Sequence, residues 1–368
     1  MALVSVKPKT LDWAVRESGY TQKEIEEKLK FPLGSIATWV GGDEKPNRTQ
    51  FKKLANLLKR PDEVFFIDPP PVSMEPTVSM RFAFGTSTRR MSPEERVAIR
   101  DSYCIGRFID GIRSDLGRMR CDLPVVSTNE DPEEIAESIR TEFFQVSVTD
   151  QMSLGSPSLA FKFWRNEVER LGLLVFLYSL GENSSRGFSF ASNKPLLIGV
   201  STTWHPTVRI YTLFHELGHV VTQTSSSCVE EQVHQPSLDP IERWCEKFAA
   251  SFLMPRKELL TVLDQKHRSD PLRLATWMSN KLYVSRKAAL LRLVEIGLAK
   301  WTDLRRLESR YEKRQPGGRY DPSQTRTRKV VRHHKYGSCL SDVRQAYEIG
   351  IVNESDIRDY LVMLPEEL

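Results

Sequence analysis

Cysteine is scarce in this sequence, and its spacing excludes a disulfide framework. The chain of 368 residues has five cysteines, an odd number, and no two of them stand at C-x-x-C spacing. They are Cys104, Cys121, Cys228, Cys245 and Cys339. A small secreted domain held by disulfides would need a denser, even set, so we expect reduced thiols in a cytoplasmic protein.

Long hydrophobic runs are also missing. No segment approaches the roughly 18 uninterrupted apolar residues of a membrane-spanning helix. The first residues, MALVSVKPKTLDW, have no sustained apolar core of the kind found in a signal peptide. We therefore expect no signal peptide, no membrane partner and a cytoplasmic location.

The composition is that of a soluble globular protein that can bury a sizeable core. Hydrophobic residues make up 40% of the chain and charged residues 27%. At 368 residues the chain exceeds one typical domain, so we expect at least two. Internal repeats are not evident.

The most informative pattern is the H-E-x-x-H run at residues 215–219. Two histidines four apart lie on one helix face about one turn from each other, so both imidazoles can reach one tetrahedral metal ion. The segment from Val208 to Val221 is apolar nearly all round, which predicts a buried helix. A zinc ion would satisfy one ring nitrogen of His215 and one of His219, while Glu216 would face the water at the open metal position.

A third metal ligand is expected on a second helix. Apolar residues recur at helical spacing from Ile241 to Leu253, and Pro255 ends the pattern. Glu242 lies at the edge of the apolar stripe, which makes it the favoured inward carboxylate. Gly218 costs about 1 kcal/mol of helix stability relative to Ala, but it would let another backbone pass close to the site.

Other carboxylates are alternatives to Glu242. Glu246, one turn further on, is an alternative ligand, a hydrogen-bond partner that orients a ligand, or a solvated charge. Glu230 and Glu231 rank lower because they lie in the polar stretch from Thr222 to Pro240, which is rich in Ser and Gln and predicts a loop.

These motifs carry a family resemblance. The order RIYTLFHELGHVV, a polar loop and then ERWCEKFAASFLMP resembles the ImmA/IrrE family of zinc metallopeptidases, over about residues 95–300. The segments VERLGLLVFLYSL, RGFSF and KPLLIGVS are similar to the short strands that precede the metal helix in that family. The resemblance implies Zn²⁺ as cofactor, His215, His219 and Glu242 as its ligands, and Glu216 as catalytic base.

Two positions depart from the family pattern. Cys245 stands where the family usually has Ala, and Glu246 stands where it usually has Asn or Asp. The second departure leaves the choice between Glu242 and Glu246 as third ligand open.

The resemblance implies hydrolysis of a peptide bond. Zinc held by two imidazoles and one carboxylate keeps a position for water and lowers the pKa of that water, while Glu216 accepts its proton. A further donor often stabilises the tetrahedral intermediate. The sequence leaves His234, His205 and Tyr211 as equal candidates for that role.

Residues 10–60 resemble the Cro/repressor helix-turn-helix of the XRE type. Thr21 and Glu24 form a capping-box pattern at the start of one helix. The second helix of the pair is expected from Pro32 to Val40, and Thr49 is expected to cap the helix that follows. In the family, Gln22 corresponds to a polar residue that contacts DNA phosphate, and Gly34, Ser35 and Thr38 stand at base-reading positions.

The expected recognition helix nevertheless lacks the side chains that make most base contacts. Residues 32–40 contain no Arg, Lys, Asn or Gln. Residues 1–60 hold twelve Lys and Arg against seven Asp and Glu, which favours phosphate contact. DNA binding through residues 10–60 is therefore the expectation, and a helical protein-interaction module on the same scaffold is the alternative.

The expected fold class is α+β and mostly helical: a helix-turn-helix bundle, a zincin-like metallopeptidase domain with a small sheet, and a helical C-terminal region. Residues 301–335 carry eleven Lys and Arg against four acids, which predicts a basic flexible arm, either phosphate-binding or simply solvated. The expected divisions are a helix-turn-helix domain at 1–68, a proline-rich linker at 69–91, the metallopeptidase domain at 92–300, the basic segment at 301–336 and a helical pair at 337–368.

Two functions remain. The first is a cytoplasmic transcriptional regulator whose zinc-dependent endopeptidase activity cleaves a partner repressor or antitoxin. The second is a DNA-binding regulator whose metal domain is a non-proteolytic sensor or protein-interaction module. Glu216 favours the first, because a sensor needs no base beside the metal. Homodimerisation is left open.

Overall fold

The computed structural model describes residues 3–68, 79–82, 91–118, 123–181, 184–191, 195–224, 226–229, 239–264, 270–311 and 328–368. The chain forms two compact units. The N-terminal unit contains residues 1–77 and 88–101, and the C-terminal unit contains residues 78–87 and 102–368. No helix within the described ranges combines the length and the apolar character needed to cross a bilayer.

The N-terminal unit is a small helical bundle. Its helices are α1 (Pro8–Ser18), α2 (Gln22–Leu29), α3 (Ser35–Gly41), α4 (Arg48–Leu58) and the first part of α5 (Pro93–Asp115), with a 3-10 turn at Asp62–Phe66. Side chains from successive elements form its core, chiefly Leu11, Ile25, Ile36, Trp39, Phe51, Leu54 and Phe65. Buried Glu26 on α2 accepts a hydrogen bond from the backbone N–H of Ile36 at 2.9 Å, which satisfies an amide in the first turn of α3.

Local capping confirms one expected helix start and corrects two. The capping box between Thr21 and Glu24 is present. The expected start of the second helix at Pro32 was wrong: Gly34 has a φ of +87°, a left-handed conformation that an α-helix cannot continue through, so α3 begins at Ser35. Thr49 was also wrong as a cap, because Asn47 accepts from the amide of Gln50 and completes a capping box with it.

The C-terminal unit contains most of the helices and all the described strands. The second part of α5 belongs to it. The other helices are α6 (Pro132–Ile139, continued by a π-helical turn at Arg140–Phe144), α7 (Val148–Met152), α8 (Pro157–Arg170), α9 (Pro206–Val221), α10 (Pro240–Leu253), α11 (Arg256–Asp264), α12 (Pro271–Leu282), α13 (Arg286–Glu295), α14 (Trp301–Tyr311), α15 (Arg328–Tyr336), α16 (Leu340–Glu348) and α17 (Glu354–Leu361).

The described strands form one mixed sheet in the order β1-β5-β3-β4-β2. They are β1 (Ser79–Phe82), β2 (Leu174–Tyr178), β3 (Gly187–Phe190), β4 (Leu197–Ser201) and β5 (Ser226–Val229). β3 runs antiparallel to both of its neighbours, whereas β2 pairs with β4, and β1 with β5, in parallel. β2, β3 and β4 are buried along their whole length, which agrees with their largely apolar sequences.

Two expectations about irregular segments need correction. The polar stretch after Thr222 was expected to be a loop, but Ser226–Val229 pair with β1 and residues 226–228 also pair with β3, so pairing in the sheet outweighs the low strand propensity of this polar sequence. The basic segment 301–336 was expected to be flexible, but its two ends form α14 and α15. Buried Arg165 holds the end of α15 by donating to the carbonyl oxygen of His334 at 2.7 Å. Residues 312–327 lie outside the described residues.

The C-terminal end of α10 is fixed by three long side chains from other parts of the unit. Arg140 donates to the carbonyl oxygen of Phe252 at 2.6 Å and to that of Val146 at 2.9 Å. Gln151 donates to Leu253 O at 3.2 Å, and Arg292 donates to Met254 O at 3.0 Å. The last carbonyl groups of a helix have no partner within it and carry partial negative charge. Here these buried donors, two of them cationic, satisfy three consecutive carbonyl groups and fix the end of α10.

Arg140 supports a test of this arrangement. Burial lowers the pKa of its guanidinium to about 10, and the side chain stays in place because it donates to two backbone carbonyls. We expect Arg140→Met to lower the free energy of unfolding by about 2–4 kcal/mol, since each buried acceptor left without a donor costs about 1–3 kcal/mol. Denaturant unfolding followed by tryptophan fluorescence measures the change.

The matched control is Arg273→Met, because the Arg273 side chain is 91% exposed. That substitution should change stability by less than about 0.5 kcal/mol. Equal shifts for the two variants would contradict the structural role of Arg140.

Candidate metal centre

Helix α9 carries the H-E-x-x-H run through the interior of the C-terminal unit. Pro206 occupies its first turn, and the His205 side chain accepts from the amide of Thr207, so the helix begins just before the expected Val208. The motif is buried as expected: His215 is 8% exposed, and Glu216 and His219 are 0% exposed. Helix α8 and strands β3 and β4 pack against α9 and exclude water from it.

Helix α10 crosses α9 at Gly218, so the close backbone approach that the sequence suggested at this glycine is present. A Cβ atom added at Gly218 would lie 3.2 Å from the Cβ and Sγ of Cys245 and 3.3 Å from its Cα. Position 218 therefore has little room for a side chain larger than glycine, and the backbones of the two helices lie close together at this crossing. The crossing brings the first turn of α10, which contains Glu242, next to the two histidines of α9.

His215, His219 and Glu242 converge on one point. Their nearest donor atoms are separated by 3.2 Å between His215 Nε2 and Glu242 Oε2, 3.3 Å between the two Nε2 atoms, and 3.4 Å between His219 Nε2 and Glu242 Oε1. All three residues are buried. This group could hold a metal ion.

The separations fit a tetrahedral metal. Donor atoms bound to one zinc ion at about 2.05 Å lie about 3.3 Å from one another when the site is tetrahedral. The Nε2 atoms of His215 and His219 are 3.3 Å apart, which matches that value, and the two carboxylate oxygens of Glu242 lie 3.2 and 3.4 Å from one imidazole each. Two nitrogen donors and one carboxylate oxygen are also the donor types of catalytic zinc sites.

The pKa values of His215 and Glu242 show how strongly the members of the group interact. Burial lowers the pKa of His215, but the hydrogen bond and charge of Glu242 act more strongly in the opposite direction and bring that pKa to about 9. Burial raises the pKa of Glu242, and the hydrogen bonds from His215 and His219 reverse this and leave the carboxyl pKa well below its usual range. The carboxylate of Glu242 is therefore ionised and held toward both imidazoles.

Glu216 lies on the side of α9 that faces the sheet. A Cβ atom added at Gly187 on β3 would lie 3.2 Å from Glu216 Cγ, so the glycine lets this strand approach the helix. Burial raises the pKa of Glu216, while the imidazoles and the hydroxyl of Ser189 lower it in part. A buried carboxylate with a raised pKa beside a metal group is suited to accept and return a proton.

The alternative ligands are placed differently. Glu246 is half-buried and is not part of the convergent group. Its carbonyl oxygen accepts a hydrogen bond from Tyr211 Oη at 2.9 Å, and its charge helps to raise the pKa of His215. Glu230 and Glu231 lie outside the described residues.

The candidates for the donor that would stabilise the tetrahedral intermediate differ in their distance from the metal group. His205 precedes His215 by ten residues on the same helix, or about 15 Å along its axis. Tyr211 lies one turn from His215, and its hydroxyl is bonded to the backbone of α10. His234 lies outside the described residues. Tyr211 is thus the described candidate nearest to the metal group.

Two polar residues that contact the motif were not predicted from the sequence. Ser189 on β3 faces Glu216, and Thr224, just after α9, lies 2.9 Å from His219 Nδ1. A lone serine between two phenylalanines in a buried strand was the only signal for Ser189. Two threonines shortly after the motif were the only signal for Thr224.

The expected DNA-contacting residues lie at the surface of the N-terminal unit or close to it. Gln22 and Gly34 are exposed, and Ser35 and Thr38 are half-buried. The hydroxyl of Ser35 donates to Pro32 O at 2.7 Å, and that of Thr38 donates to Ser35 O at 2.9 Å. The protons of both hydroxyls are thus engaged within their own turn.

The choice between the two glutamates of α10 can be tested by metal binding. We expect Glu242→Gln to weaken Zn²⁺ binding by at least about 100-fold, because the charged donor is lost from the convergent group. Glu246→Gln should bind Zn²⁺ about as tightly as the unaltered chain. Competition with a chromophoric chelator measures both, and the reverse order would identify Glu246 as the ligand.

The helix crossing can be tested at Gly218. We expect Gly218→Leu to push α10 away from α9, to cost about 1–3 kcal/mol through overpacking, and to weaken Zn²⁺ binding. Gly111→Leu is the control, because a Cβ atom at this exposed glycine of α5 would meet nothing within 4 Å. Thermal unfolding and the same chelator competition measure both effects. Unchanged metal affinity in Gly218→Leu would show that the close crossing does not set the ligand positions.

Comparison with known proteins gives one finding that bears on this site. No curated protein and no solved structure gave a match. Residues 168–294 match the family model described as IrrE N-terminal-like domain, Peptidase_M78. This stretch includes β2 to β4, α9 and α10, and thus every residue of the convergent group. Peptidases of this family depend on a metal, so the match supports an ImmA/IrrE-type metallopeptidase domain at residues 168–294.

Proposed function

We propose that this chain is a cytoplasmic zinc metallo-endopeptidase that cleaves a partner repressor or antitoxin and thereby regulates transcription. The observation that carries the proposal is the buried convergence of His215, His219 and Glu242 beside Glu216. The family match supports peptide-bond hydrolysis. The choice of a repressor or antitoxin as substrate is supported by the resemblance to ImmA/IrrE regulators.

The four residues would divide the work as follows. His215, His219 and Glu242 would hold Zn²⁺, which when bound polarises a water molecule and the carbonyl group of the scissile peptide bond. Glu216 would accept a proton from water and return it to the leaving amine. Its burial against β3 keeps the carboxylate in one place, so it needs no reorganisation during the reaction.

The donor set favours zinc over harder ions. Calcium and magnesium take six or more oxygen donors, whereas this group offers two imidazole nitrogens and one carboxylate. Two histidines and one glutamate are a donor set of catalytic zinc in peptidases, with a fourth position left for water or substrate.

The N-terminal unit supports a role in DNA binding as part of the same proposal. It contains α2, a turn and α3 in succession, and Glu26 ties the two helices together, which supports the XRE resemblance. Its excess of Lys and Arg would contact phosphates. Since the turn before α3 exposes Leu33 and Gly34 and the first turn of α3 exposes Ala37, readout of base edges would be weak.

The alternative is a regulator whose metal domain senses a ligand without cleaving. Such a protein would need the three ligands but no proton acceptor beside them. The buried position of Glu216, which β3 can approach because of Gly187, favours the peptidase. Incubation with candidate repressors, with and without chelator, distinguishes the two: metal-dependent fragments mean cleavage, and their absence together with tight operator binding means a sensor.

The role of Glu216 leads to the central prediction. We expect Glu216→Gln to bind Zn²⁺ as the unaltered chain does and to lower the cleavage rate by at least about 100-fold, because the amide cannot accept the proton. Fragment formation followed by mass spectrometry measures the rate, and metal analysis of the same sample measures the zinc content.

Glu134→Gln on α6 is the control, because this glutamate is exposed and lies outside the convergent group. It should cleave at the normal rate. A Glu216→Gln variant that cleaves at that rate too would rule out Glu216 as the base.

DNA binding should be dominated by charge. We expect the chain to bind unrelated duplexes with similar affinity, and this affinity to fall steeply between about 50 and 200 mM salt. Ser35→Ala and Thr38→Val should change it little, because both hydroxyl protons are bonded within α3 and the turn before it. Fluorescence anisotropy over a salt series measures both. A preference of about 1,000-fold for one sequence over its scrambled control would instead indicate direct base readout.

A further inference from the structure

The ring of His219 is held from both sides. Its Nε2 atom lies 3.3 Å from His215 Nε2 and 3.4 Å from Glu242 Oε1, in the convergent group. Its Nδ1 atom lies 2.9 Å from the hydroxyl oxygen of Thr224 on the opposite side of the ring. The side chain of His219 is fully buried, so these contacts decide how the ring is oriented.

The Thr224 hydroxyl belongs to a chain of hydrogen bonds. Its oxygen lies 2.8 Å from the hydroxyl oxygen of Thr222. The Thr222 hydroxyl in turn lies 2.8 Å from the carbonyl oxygen of Gly218 and 3.3 Å from that of His219. The chain therefore runs from the imidazole through two threonines to the backbone of α9.

The carbonyl group at the end of this series of hydrogen bonds fixes which group donates in every bond. A carbonyl oxygen can only accept, so Thr222 must donate its one hydroxyl proton to the backbone of α9. Thr222 is then the acceptor for the proton of Thr224. Thr224, with its own proton donated, is the acceptor for a proton on His219 Nδ1. This accounting places the hydrogen of His219 on Nδ1 and leaves the lone pair of Nε2 directed at the metal position.

The turn that ends α9 puts Thr224 in place. Thr224 N donates to His219 O at 2.9 Å, and Gln223 N donates to Val220 O at 3.1 Å, which is the Schellman pattern. Gln223 takes the left-handed conformation with a φ of +54°, at the position where glycine is usual. The main chain therefore turns back under the last turn of α9 and brings the Thr224 side chain to the ring.

We propose that Thr222 and Thr224 are positioning residues that set the tautomer and orientation of His219 for metal binding. The proposal rests on the metal centre of the proposed function, but not on what substrate is cleaved or whether any is. In known metal sites the second nitrogen of a histidine ligand is usually bonded to a carboxylate, a backbone carbonyl or water. Here a neutral hydroxyl does this work, and it acts only as an acceptor because Thr222 has fixed its proton.

The experiment measures Zn²⁺ affinity of the full chain by chelator competition. We expect Thr224→Val to weaken binding by about 10- to 100-fold, the usual effect of removing such an outer partner of a ligand. Thr224→Ser keeps the hydroxyl and should restore affinity close to that of the unaltered chain. Thr222→Val should give a smaller loss, because the Thr224 hydroxyl remains but is free to rotate.

Thr276→Val is the matched control for loss of a threonine from a helix. The hydroxyl of Thr276 on α12 donates to Leu272 O at 2.9 Å, the same bond to the fourth preceding residue that Thr222 makes. It should leave Zn²⁺ affinity unchanged. Thermal unfolding of each variant in the presence of chelator identifies any variant that fails to fold. If Thr224→Val fails to fold, Thr224→Ser and Thr222→Val still test the proposal.

A spectroscopic measurement separates positioning from general stability. In zinc-loaded chain labelled with ¹⁵N-histidine, we expect His219 to show a slowly exchanging Nδ1 proton that is lost or exchanges faster in Thr224→Val and is retained in Thr224→Ser. Equal zinc affinity and an unchanged Nδ1 proton in Thr224→Val would overturn the proposal. An unaltered chain that binds no zinc would overturn the metal centre and this proposal together, whereas normal zinc binding without cleavage would overturn only the peptidase.

Discussion

The close crossing of α9 and α10 at Gly218 is the constraint on which the candidate site depends. The backbone of α10 at Cys245 lies as near to Gly218 as a missing side chain permits. This contact sets the distance between the helix that supplies two imidazoles and the helix that supplies the carboxylate. A longer separation would leave Glu242 out of reach of a shared ion, because metal bonds of about 2 Å tolerate little displacement of a ligand. The glycine at this position thus lowers helix propensity but allows the ligand geometry.

A crossing point alone does not fix a helix, because α10 could still tilt about it. The far end of α10 is held by Arg140, Gln151 and Arg292, whose donors satisfy the carbonyl groups of residues 252–254. Contact near the middle and hydrogen bonds at the C-terminal end together restrict both tilt and translation, so Glu242 in the first turn is carried on a rigid element. Rigid elements hold ligands more accurately than loops do. Because two of these donors are cations at a helix C-terminus, their interaction with the helix dipole offsets part of the cost of burying them.

Much of this site could be predicted from local sequence patterns. The parts that could not be predicted depend on contacts that such patterns do not encode. Helical spacing placed His215 and His219 on one face and predicted the burial of α9, and it favoured Glu242, the carboxylate that the structure brings beside the two imidazoles, over Glu246. Spacing could not find Ser189 or Thr224, because each reaches the motif through a strand pairing or a reversed turn that no periodic pattern encodes. The same limit explains why β5 was not predicted: its sequence is polar, and its strand pairs with β1 and β3, which lie elsewhere in the sequence. The capping error at Thr49 was local: both Asn47 and Thr49 are good cap residues, and the reciprocal bond with Gln50 decides between them.

The charges of the group explain why a cation belongs at its centre. Two neutral imidazoles with the carboxylates of Glu216 and Glu242 would place two negative charges in a buried space, which is unfavourable without compensation. A proton on His215 supplies part of that compensation, since the pKa of His215 is raised to about 9 beside Glu242. A divalent ion would supply all of it and would have to expel that proton to reach the nitrogen. Proton and metal therefore compete for one position, and the geometry that raises the pKa of His215 is the same geometry that brings the three side chains together. The hydroxyls of Thr224 and Thr222 lie on the other side of His219, where they orient its ring toward the metal position without adding further charge.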